Sequence, residues 1–124
     1  MKEDILKTYL KSLEAGDAEA IIKLFSDDGI IHSPLYGDMP VKNFFKNLFA
    51  DTIQSAIMLL NIFQSTTNSN TAAAHFKYEW ILKDGTKTNF EAVDVFNFNE
   101  HGKIREMTII YDTAKTRSAF EMLG

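Results

Sequence analysis

Phe90-Glu91-Ala92-Val93-Asp94-Val95-Phe96-Asn97-Phe98, followed by Asn99-Glu100-His101-Gly102 and then Lys103-Ile104, decides the fold. Side chains in an extended strand alternate between two faces. Phe90, Ala92, Asp94, Phe96 and Phe98 therefore share one face, and Glu91, Val93, Val95 and Asn97 share the other. The Asn-Glu-His-Gly run is hairpin chemistry, so the chain turns back into another strand, Lys103 to Tyr111. Working toward the N-terminus, Lys83-Asp84-Gly85 divides the strand Thr86 to Phe98 from one over Thr71 to Leu82. Asn68-Ser69-Asn70 divides that strand from a long apolar run, Ser55 to Thr66. Four long strands joined by tight turns predict an antiparallel meander.

The first third of the chain reads differently. Ile5, Leu6, Tyr9, Leu10 and Leu13 recur at helical spacing and predict an amphipathic helix from Glu3 to Ala15. Gly16 ends it as the residue that accepts a left-handed backbone. Asp17 caps a second helix, Ala18 to Phe25, which buries Ile21, Ile22 and Phe25. Ser26-Asp27-Asp28-Gly29 reads as a turn, Ile30 to Ser33 as a short strand, and Pro34 to Pro40 as a loop. Val41, Phe44, Phe45, Leu48 and Phe49 give a third helix with Pro40 near its start. Asp112 or Thr113 is placed to cap a last helix, Ala114 to Leu123. Helices first and a meander after them predict an α+β architecture, with helices on one sheet face and a hollow between the layers. Residues 1–124 are expected to form one domain.

Asp94 is the only carboxylate on a face otherwise made of Phe and Ala. Burying an ionised carboxylate without a partner costs several kcal/mol, so the group is expected to be paired or held neutral with a raised pKa. In the strand Thr71 to Leu82, Ala74, Phe76, Tyr78, Trp80 and Leu82 alternate with His75, Lys77, Glu79 and Ile81. His75 thus lies on the polar face, as a solvated or interface histidine. In the last strand Met107, Ile109 and Tyr111 share one face, and Ile104, Glu106, Thr108 and Ile110 the other. Apolar residues on both faces of a sheet covered on one side predict a homodimer through the outer face.

Composition limits the function classes. The net charge is −4 and the 13 basic residues are scattered, which argues against nucleic acid as a partner. There is no cysteine, so disulfides, thiolate metal sites and cysteine nucleophiles are excluded. The three His show no ligand spacing and no Gly-rich phosphate loop occurs, so neither a metal nor a cofactor is expected. No apolar stretch approaches the roughly 20 residues that cross a bilayer, and the acidic start lacks a signal-peptide core. A cytoplasmic protein is the simplest expectation. Ten Phe among 124 residues supply either a Phe-rich core or the lining of a cavity.

Leu13-Glu14-Ala15-Gly16-Asp17, Leu24-Phe25-Ser26-Asp27-Asp28-Gly29, Ser33-Pro34-Leu35-Tyr36-Gly37 and Val93 through Ile104 resemble the ketosteroid isomerase and SnoaL-like family. That family belongs to the nuclear transport factor 2-like superfamily. The resemblance runs almost end to end. It implies a cone, with N-terminal helices packed on a curved, mainly antiparallel sheet that encloses a pocket.

For the site, the resemblance implies that Tyr9 and a neutral Asp94 donate hydrogen bonds to a developing oxyanion. Ser33 stands where the isomerase carries its general base, and a lone Ser hydroxyl cannot shuttle the proton. His32, Asp38 in the loop and Asp112 at the end of the last strand are the alternative bases. Their other readings are a surface or interface histidine for His32 and helix capping for Asp112. The expected ligand wall comprises Phe25, Tyr36, Phe45 and Phe49 from the first half of the chain. Phe76, Tyr78, Trp80, Phe96, Met107, Ile109 and Tyr111 complete it from the strands. The expected ligand is a small hydrophobic molecule containing a carbonyl or a ring. The chain then acts either as an isomerase, cyclase or dehydratase, or as a non-catalytic binding or dimerisation module.

Overall fold

The structure, a computed structural model, describes residues 2–123. Helix α1 spans Lys2–Ala15 and α2 spans Ala18–Ile22. Gly16 adopts a φ of 69° between them. Asp17 caps α2, its Oδ1 accepting from the Ala20 amide at 3.1 Å. Strands β1 (Phe25–Ser33) and β2 (Gly37–Pro40) precede helix α3 (Val41–Ala50). Strands β3 (Thr52–Gln64), β4 (Thr71–Leu82), β5 (Lys87–Phe98) and β6 (Ile104–Ile110) follow, and helix α4 (Ala114–Glu121) comes last.

The six strands form one sheet in the order β2-β1-β6-β5-β4-β3. The last four make the antiparallel meander read from the sequence. β1 joins it in parallel beside β6, and β2 folds back antiparallel on β1. The sheet is therefore mixed, with helices against its concave side, and the α+β expectation is borne out. The core takes the inward face of every strand plus the apolar stripes of α1 and α3. Tyr9 is held there by edge-to-face contacts with Phe96 (ring centroids 5.3 Å apart) and Phe45 (6.1 Å).

Four expectations need correction. The second helix stops at Ile22, and Phe25 opens β1 instead. Ser26 to Gly29 is not a free turn but a bulge inside β1, since the pairing with β6 jumps between Phe25 and Ile30. The loop before α3 contains β2. Finally, Ile104 does not share the outer face with Glu106. A register shift between Asn97 and Phe98 turns it inward, where it is fully buried opposite Phe25.

The bulge can be tested by stability. Straight alternation would make Ile104 and Ile110 equivalent. With the bulge, Ile104→Ala should cost about 2–5 kcal/mol in urea unfolding, as for a buried aliphatic truncation. Ile110→Ala, at an exposed position, should stay within about 1 kcal/mol.

Candidate functional site

The concave side holds a half-open cavity of about 50 Å³. Its wall draws on α1 (Tyr9, Leu13), α3 (Phe44, Leu48), β4 (Phe76, Tyr78, Trp80), β5 (Phe90, Ala92, Asp94) and β6 with its exit (Ile109, Tyr111). Ser33, Leu35 and Tyr36 close it from the β1–β2 hairpin. Strand alternation and the i, i+4 spacing of helix residues are what bring these side chains together.

Asp94 is 2% exposed, and its cross-strand neighbours are Ala74 and Ile109. Neither carries a charge. Its Oδ1 has no hydrogen-bond partner among the described residues. Burial alone lifts its pKa to about 8, because nothing nearby favours the anion. The carboxyl is thus mostly protonated at neutral pH, an O–H donor in an apolar wall.

Phenols surround it. Tyr9 is raised well above its ordinary value, first by burial and then by the Asp94 and Tyr78 charges. Burial pushes Tyr78 up to about 12, opposed by its 2.7 Å hydrogen bond with Ser55 Oγ. Tyr111 is also raised, mainly by burial. All three therefore remain neutral. Tyr36 donates to Asp51 Oδ2 at 2.7 Å, and Lys83 Nζ lies 3.2 Å from the other oxygen of that carboxylate.

The remaining candidates scatter. Ser33 lines the cavity, but its Oγ accepts from the amides of Leu35 (3.2 Å) and Tyr36 (3.1 Å), which shapes the hairpin. His32 lies outside the cavity. Its Nδ1 sits 2.8 Å from Asp38 and its Nε2 2.7 Å from Glu106, and these bonds raise its pKa. Asp38 is exposed in that ion pair and does not overhang the pocket. Asp112 is exposed too, and its Oδ1 accepts from the Ala114 amide at 3.0 Å, a capping role.

Of the expected ligand wall, Tyr36, Phe76, Tyr78, Trp80, Ile109 and Tyr111 line the cavity. Phe25, Phe45, Phe96 and Met107 are buried core behind it, and Phe49 packs half-buried on the core. Leu13, Leu35, Phe44, Leu48, Phe90 and Ala92 line it without having been expected to. Three of these had a signal: Leu13 lies one turn after Tyr9, while Phe90 and Ala92 share the parity of Asp94. Among the described residues, no group of three or more His, Asp or Glu could hold a metal ion. No described helix is long and apolar enough to cross a membrane.

Helices laid on a curved mixed sheet around an apolar hollow define the class of cone-shaped α+β domains. The family model for the SnoaL-like domain matches residues 6–107, and the chain belongs to that family. Solved structures carry the same nuclear transport factor 2-like fold. One is an NTF2-like protein of unknown function from Exiguobacterium sp. 255-15, with a TM-score of 0.74 and 23% identity over 87% of this chain and 98% of that one. Another is SalBIII, described as an epoxide hydrolase/cyclase-like enzyme in pyran ring formation in the polyether salinomycin. Its TM-score is 0.76, with 19% identity over 89% of each chain. At these identities the likeness is one of fold.

The buried acid leaves a signature in stability. In an unfolded chain an Asp titrates near pH 4. Between about pH 4 and the folded value of about 8, the folded protein keeps a proton that the unfolded chain has lost. Stability contributed by Asp94 is therefore complete below pH 4 and lost as pH rises toward 8. Asp94→Asn cannot ionise. Urea unfolding should show this variant gaining on the wild type by several kcal/mol between pH 4 and 8.

Proposed function

We propose that the chain binds a small, largely apolar molecule by a hydrogen-bond-accepting oxygen, with the neutral Asp94 carboxyl as principal donor and the Tyr9 hydroxyl as the second. The observation that carries this reading is a buried carboxyl with an unpartnered oxygen, set among aromatic rings with no cation opposite it. Two donors in a water-poor cavity stabilise negative charge that develops on a carbonyl oxygen far better than they would in water. That is the requirement of isomerase- or cyclase-like chemistry through an enolate. The SnoaL-like membership and the cyclase-like description of SalBIII support the same direction.

The lining residues limit what the chain does to its ligand. Its titratable groups are Asp94 and four tyrosines, all favoured in their neutral forms. None is an ionised base at neutral pH. Proton abstraction would use Asp94 itself in its ionised fraction, or a basic group on the ligand. Calorimetric titration with 2-naphthol at pH 6 tests the donor role. Asp94→Leu and Tyr9→Phe should each weaken binding about fivefold or more, the value of a hydrogen bond between neutral groups. Affinity unchanged in both variants would remove the donor pair.

A second reading concerns the outer sheet face. Phe63 and Ile110 are each 53% exposed there, beside the half-buried Val93 and Val95. Many of the polar groups beside this patch are already bonded within the chain. His75 bridges Asn61 and Glu91, and a chain of bonds runs from Thr71 through Asn97 and Glu106 to His32 and Asp38. Such a patch can be covered with few stranded donors or acceptors, which favours a second copy of the chain as its occupant. Sedimentation at micromolar concentration should show a dimer that Val95→Glu converts to monomer. A monomeric wild type would contradict this.

A further inference from the structure

The cavity that holds Asp94 is far smaller than the ligand proposed above. A volume of about 50 Å³ accommodates a few waters, whereas a cavity that binds benzene measures about 150 Å³. The wall must open for a ring compound to reach Asp94. The place where it can open is set by how the last helix is attached.

Helix α4 leaves the sheet after β6 and crosses from the start of β5 to the β1–β2 hairpin. Three contacts anchor it, with Ala119 and Leu123 packed on the core beside them. Thr116 is fully buried, its Oγ1 3.3 Å from Thr88 Oγ1 on β5. Arg117 Nη2 donates to the Pro34 carbonyl at 2.6 Å. Phe120 lays its ring edge-to-face on Tyr36 (5.0 Å) and nearly parallel to Trp80 (6.5 Å). Tyr36 and Trp80 are both cavity wall. Most of α4 is otherwise exposed, including Lys115, Ser118 and Glu121, and Met122 beyond it is 83% exposed. Its packing is thus slight beside that of the sheet, which is the mark of an element that opens at low free-energy cost.

We propose that α4 is a hinged lid over the wide end of the cone. Arg117 on the Pro34 carbonyl is its latch, Phe120 is its plug, and the Asp112-Thr113 approach is its hinge. Ligand enters when the latch releases and Phe120 leaves Tyr36 and Trp80. The proposal rests on the binding reading for its purpose, but its mechanics are tested without any ligand.

Trp80 is the chain's single tryptophan, is 2% exposed and lies beneath the plug. Acrylamide quenching of its fluorescence therefore reports lid opening in the unliganded protein. Arg117 bonds Pro34 and does not stack on Trp80, so Arg117→Ala acts on the indole by loosening the contact between α4 and the hairpin. The quenching constant should rise about threefold or more in Arg117→Ala and in Phe120→Ala. It should stay at the wild-type value in Lys115→Ala, an exposed position on the same helix. In the wild type, amide hydrogens of residues 114–121 should exchange at least a hundredfold faster than those of 72–81 in β4. Quenching unchanged in Arg117→Ala, or α4 amides as protected as those of β4, would overturn the lid. Failure of 2-naphthol to bind would leave both readouts standing, so the two proposals fail separately.

Discussion

A carboxyl group that cannot afford its charge organises this molecule. Asp94 sits on the central strand β5 with Ala74 and Ile109 as neighbours, and no cation reaches it. Desolvation then leaves one stable form at neutral pH, the acid. Everything that gives the site its character follows from that sequestration. The aromatic wall keeps bulk water and charged side chains away. The curved sheet brings the wall together, and helices α1 and α3 complete it.

The arrangement separates charge from the cavity with some consistency. Tyr36 faces the hollow, but Asp51, to which it donates and which Lys83 bridges, is not part of the cavity wall. His32, Asp38 and Glu106 form their ion cluster on the opposite side of the sheet. The same strands that present neutral donors inward present paired charges outward. This division comes from strand alternation, since His32 and Ser33, or Val93 and Asp94, are adjacent in sequence yet serve different faces.

That alternation also explains what was legible before any coordinates. The meander, the inward run Phe76-Tyr78-Trp80 and the isolation of Asp94 depend on period two and hairpin chemistry, which are local. Helices α1 and α3 followed from their stripes. What stayed hidden depends on long-range pairing. The bulge at Ser26 to Gly29 and the inward turn of Ile104 exist only because β1 lies beside β6, far away in sequence. Strand β2 is four residues long and borrows its order from β1. In the site, parity identified the face but not depth. Phe96 and Met107 share the face of Asp94 and Ile109 yet fill the core behind the cavity, because depth is set by the curvature of the whole sheet. His32 stands next to the cavity residue Ser33, a position that suits a base. Alternation directs it away, and two carboxylates hold it there.

The account turns on the protonation of one group, which can be read directly. With aspartate labelled by ¹³C at the carboxyl carbon, the Asp94 resonance can be followed by NMR as pH is raised and assigned by its loss in Asp94→Asn. The account predicts a midpoint near pH 8, about four units above an ordinary aspartate. A midpoint near pH 4 would mean that Asp94 is ionised and solvated or paired, and the neutral donor at the centre of this site would not exist.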